Sequence, residues 1–124
     1  MRVSVIIGFI ATILLFVFTA EYIIITEFYN ELRCDAATMK TAVTEGIIRE
    51  DDAVNIVKKW ENCKGKLYIF ENHEYFKNLE ESVYSLEFSA KKEEVRNILF
   101  ILERLIVLSN EAKYDFALSL GNIF

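Results

Sequence analysis

VSVIIGFIATILLFVFTA, residues Val3 to Ala20, runs for 18 residues without an ionisable group. As a helix rising about 1.5 Å per residue it covers roughly 27 Å, close to the thickness of a bilayer's hydrocarbon. The run reads as a membrane anchor, and that decides which solvent the rest of the chain meets. A cleaved signal peptide fits less well. With Ala20 as the last residue before the cut, Phe18 would fill the third-last position, which requires a small side chain. Arg2 and the amino terminus precede the run, while Glu21, Glu27 and Glu31 follow it. Cations are retained on the cytoplasmic side, so a single span with a cytoplasmic amino terminus and an extracytoplasmic remainder is expected at the cell membrane. Tyr22 and Glu21 fall at the interface. The organisation expected is an anchor over residues 1–26 and one domain over residues 27–124.

Proline is absent and glycine occurs four times. Sheets need those residues in their turns, so an all-α fold is expected. From Glu27 onward 13 basic residues stand against 18 acidic ones. That balance argues against nucleic acid or an anionic lipid face as a partner.

After the anchor, Phe28, Leu32, Ala36, Met39 and Val43 recur in helical steps, and Gly46 is a natural stop. Glu50, Asp51 and Asp52 offer an N-cap and favourable first-turn charges for a second helix carrying Ala53, Ile56, Val57, Trp60, Cys63 and Leu67 on one face. Trp60 is its expected core anchor. Asn72 is an N-cap for a third helix through Tyr75, Phe76, Leu79, Val83 and Leu86. Ser89 to Lys92 reads as a connection to a fourth, whose apolar face is Val95, Ile98, Leu99, Leu102, Leu105 and Ile106. Phe100 and Val107 lie on that helix's opposite side, so it needs cover on more than one face. A tail from Tyr114 to Phe124, folded back, is the expected cover. Short connections make consecutive helices antiparallel neighbours. The expected architecture is an N-terminal transmembrane helix continuing into a small up-and-down bundle of about four helices with a folded-back tail.

Cys34 lies on the far side of its helix from the apolar stripe and Cys63 on the core face of the next, which disfavours a disulfide between them. His73, with Asn72 and Glu74, forms a polar cluster that lacks the repeated His or Cys spacing of a metal site. No serine, cysteine or aspartate has an activating context, so neither an enzyme nor a cofactor is expected.

With Trp60, the run into Phe70-Glu71-Asn72-His73-Glu74, the apolar helix around Leu99 to Leu108 and the closing Leu120-Gly121-Asn122-Ile123-Phe124, the chain resembles a family of small bacterial proteins catalogued as domain of unknown function 4363. The resemblance implies an anchored, all-helical envelope protein and brings no activity, substrate or catalytic residue with it. The segment before Trp60 and Gly65 depart from the family's pattern.

The functional expectation is a non-enzymatic module of the bacterial envelope that binds another envelope protein or a second copy of itself. The candidate surface is Phe100, Val107, Phe116 and Phe124. The alternative is a ligand-binding sensory bundle with a pocket near Asn72, His73 and Glu74.

Overall fold

The computed structural model describes residues 2–123, with the side chains of Leu120, Asn122 and Ile123 left out of the description. Phe124, named above as a candidate surface residue, lies outside the described residues. Four helices follow in order: α1 Arg2–Thr44, α2 Glu50–Phe70, α3 His73–Lys91 and α4 Val95–Ile123. The fold is all-α, with no strand among the described residues. Each helix packs against its two neighbours around a ring, α1 on α2, α2 on α3, α3 on α4 and α4 on α1. This is the up-down-up-down bundle that short connections dictate.

The stripe Phe28, Leu32, Ala36, Met39 and Val43 of α1 is buried throughout, as are Ala53, Ile56, Val57, Trp60, Cys63 and Leu67 of α2 and Leu79, Val83 and Leu86 of α3. Trp60 sits at the middle of an aromatic cluster, its ring centroid 6.2 Å from Phe28 and 5.2 Å from Phe76. The first half of α1 is different. From Arg2 to Val17 every residue is exposed, and α1 is by length and composition long and apolar enough to cross a membrane. The core begins at Ile25, ahead of the expected boundary after residue 26.

The helix ends show why the chain reverses where it does. Gly46 takes φ 86°, its N–H bonds Val43 O, and Ile47 N–H bonds Ala42 O. That pair of bonds closes α1 in a Schellman motif with glycine at the left-handed position. The acidic cluster does not supply the α2 cap. Arg49 occupies the cap position without a side-chain bond, and Glu50, Asp51 and Asp52 fill the first turn, where the helix dipole favours their charge. Asn72 does cap α3, its side chain accepting from Glu74 N at 2.8 Å.

Two expectations fail at the other ends. Ser89 and Ala90 belong to α3, buried in its last turn because both are small enough to fit there, and the connection is Lys92 to Glu94. Its Schellman bonds, Glu93 N to Ala90 O and Glu94 N to Ser89 O, put Glu93 at φ 53°. A non-glycine residue pays steric strain in that conformation. Glu93→Gly is therefore expected to raise stability by about 1 kcal/mol, read as a higher midpoint of denaturant unfolding.

The tail does not fold back. It continues α4 to Ile123, and the stripe Ile98, Leu102, Leu105, Ser109, Ala112 and Phe116 carries one buried face along nearly the whole helix. Phe116, expected on a partner surface, is 2% exposed and stacks on Tyr22 with centroids 5.8 Å apart. It is a core residue because the steps of four, three, four, three and four from Ile98 bring it onto the inner face.

Candidate functional site

Two regions of the bundle carry chemistry or unpartnered surface. The first is the two-residue turn between α2 and α3. Asn72, His73 and Glu74 are all exposed there, so the structure brings them together at a helix start and not around a pocket. Asn72 is occupied as a cap, and the His73 ring lies edge to face with Tyr68 at 5.3 Å.

Next to them sits a group that the sequence pattern does not single out. Glu71 is 7% exposed, at the foot of the bundle between α1 and α4. Tyr29 Oη donates to its Oε2 at 2.6 Å, and Asn72 N donates to its Oε1 at 2.9 Å. Asp115 of α4 lies within side-chain hydrogen-bonding reach. Burial pushes the Glu71 carboxyl up to about 7, with Asp115 adding to the rise and the Tyr29 and Asn72 donors opposing it. Tyr29 is held well above its ordinary value, first by burial and then by the neighbouring Glu71 charge, so it remains a donor at every physiological pH. The arrangement can hold and release one proton at the carboxyl pair. Among the described residues no group of three His, Cys, Asp or Glu is placed to hold a metal ion.

The second region is the outer face of α3 and α4. Phe100 is 69% exposed, and Val107 and Phe88 are exposed as well. Phe88, Phe100, Ile101 and Tyr84 border an open groove of about 560 Å³ between the helices, with Glu81, Glu94 and Arg104 at its polar margin. The straight course of α4 leaves this face without the cover that a folded-back tail would have given.

Along the opposite seam, α1 is tied to its neighbours by charge. Lys59 bonds Asp35 at 2.7 Å with Glu31 at 3.7 Å, and Lys40 pairs with Glu103. Such half-exposed pairs set register more than they add stability. Cys34 is exposed and Cys63 buried, both as free thiols. Burial raises the Cys63 thiol to about 11, which leaves it protonated and unreactive at neutral pH.

Fold and surfaces together define a four-helix up-down-up-down bundle whose first helix is prolonged by an apolar arm. Comparison with protein-family models, with curated proteins and with solved structures returns no match for the chain.

Proposed function

We propose that this is a single-pass membrane protein, its amino terminus cytoplasmic and its bundle extracytoplasmic, that acts without catalysis by binding another protein of the bacterial envelope through the outer face of α3 and α4. The observation that carries this reading is the exposure of Phe100 and Val107 together with Phe88 beside a groove of mixed lining, in which Tyr84, Phe88 and Phe100 stand among serines and charged side chains. Large apolar side chains grouped on a surface mark a place where a partner removes them from water. The bare, uncharged arm of α1 supports the anchor, and Arg2 ahead of it supports the orientation. The resemblance to domain of unknown function 4363 points to the same envelope setting.

The test is cross-linking in living cells from a cysteine introduced beside the groove as Asn97→Cys with Cys34→Ser, in the otherwise native chain and in a Phe100→Ser/Val107→Ser variant. Both positions are on the surface, so the variant should fold with stability changed by only about 0.5 kcal/mol per site. The expected result is loss of the captured envelope protein with circular dichroism unchanged. Capture of the same protein at the same yield by the folded variant refutes the assignment of this face.

A further inference from the structure

α1 passes from its apolar arm into the bundle as one continuous helix, without a spacer. Antiparallel contacts between α1 and α4 pair Lys40 with Glu103, Arg33 with Asn110 and Asn30 with Lys113. The numbers in these pairs shift by equal amounts in opposite directions, so the end of α4 at Ile123 lies level with about Ala20. The last turn of α2 reaches the same height, with the Phe70 ring edge-on to Phe18 at 6.3 Å. The uncharged run Val3–Ala20 therefore ends at the level of the bundle's foot. With the hydrocarbon filled by that run, no length of α1 is left to lift the foot away from the headgroups.

The foot of the bundle carries apolar surface suited to that position. Ile69 is 73% exposed and Tyr68 59%, and Ile23 and Leu118 are exposed at neighbouring heights. From Phe116 to Ile123 the chain has no ionisable residue. At this height Lys66 neutralises Glu21 at 3.2 Å, so the two charges enter a less polar layer as a pair. Tyrosines with an apolar ring and a polar tip suit the headgroup boundary.

We infer that the foot of the bundle, with Tyr68, Ile69, Ile23 and Leu118, is seated within the bilayer interface, and that α1 does not hold the domain clear of the membrane. This rests on α1 being the anchor.

The test uses the full chain reconstituted in phosphatidylcholine vesicles containing brominated acyl chains, with single tryptophans introduced as I69W, I10W and I47W. Each is made both with Trp60→Phe and with Trp60 retained, so that the difference from the parent chain reads the new indole even if the first background folds poorly. Chains brominated near the headgroup should quench I69W about twofold, deeply brominated chains should quench I10W, and I47W at the far end of the bundle should be unaffected. An unquenched I69W with a quenched I10W overturns the seating and leaves the anchor standing. An I69W indole that emits in the blue but escapes quenching marks burial against a second copy and also overturns it. An unquenched I10W removes the anchor itself, and this inference with it.

Discussion

Replacing Trp60 by alanine should destabilise the bundle by about 3–5 kcal/mol, a large fraction of what a domain of this size possesses. The indole is fully buried between Phe28 and Phe76, and the bundle has no flexible loop there that could collapse into the space. Trp60 Nε1 has no hydrogen-bond partner, however. A buried donor left unpaired costs about 1–3 kcal/mol, so Trp60→Phe removes volume and a penalty together. That variant should lose much less than the alanine variant, within about 2 kcal/mol of the native chain. Urea unfolding in detergent, followed by circular dichroism because the fluorophore is gone, gives both numbers. Equal losses for the two substitutions would show that the ring's apolar area is not what Trp60 contributes.

Trp60 was legible because its surroundings repeat locally. Ala53, Ile56, Val57, Cys63 and Leu67 share its face at helical steps, and every one of them is buried. The same holds for Phe28 to Val43 and for Leu79 to Leu86, so the inner faces of α1, α2 and α3 follow from periodicity alone. The course of α4 does not. Its stripe passes through Ser109 and Ala112 on the way to Phe116, and a polar and a very small residue hide an apolar face that in fact continues. The helix also has apolar residues on its outside, Phe100 and Val107, which a pattern reading assigns to cover by the chain itself when the structure leaves them bare.

Glu71 was hidden for a different reason. In sequence it is one of several polar residues between Phe70 and Tyr75, and nothing local separates it from the exposed Asn72, His73 and Glu74. Its partners lie far along the chain, Tyr29 in α1 and Asp115 in α4, and only the closure of the ring brings them together. The available hint was Asp115 itself, a charge set immediately before Phe116 on the edge of the buried stripe. An acidic side chain there requires either water or a second proton-sharing group.

That dependence on closure makes the pH response of the fold a direct readout of Glu71. Its carboxyl is raised from an ordinary 4.5 to about 7 in the folded state, so the folded protein binds a proton more tightly than the unfolded chain does. The stabilisation is complete below about pH 4.5 and is lost as pH rises through about 7. A rise of this size corresponds to about 3 kcal/mol, most of it falling between pH 5 and pH 8. The titratable groups facing Glu71 are Tyr29, which stays protonated throughout, and Asp115, whose negative charge adds to the penalty on the ionised form. Glu71→Gln keeps an acceptor for Tyr29 and a donor for Asp115 but carries no proton to lose. Between pH 5 and pH 8 the native chain should therefore lose about 2–3 kcal/mol relative to that variant, measured as urea midpoints of both chains in the same detergent. The comparison cancels whatever is common to both chains. A gap that is flat over this range, or one that favours the native chain as pH rises, would mean that the carboxyl is ionised in the folded bundle and that the contact with Tyr29 is an ordinary charge-assisted hydrogen bond.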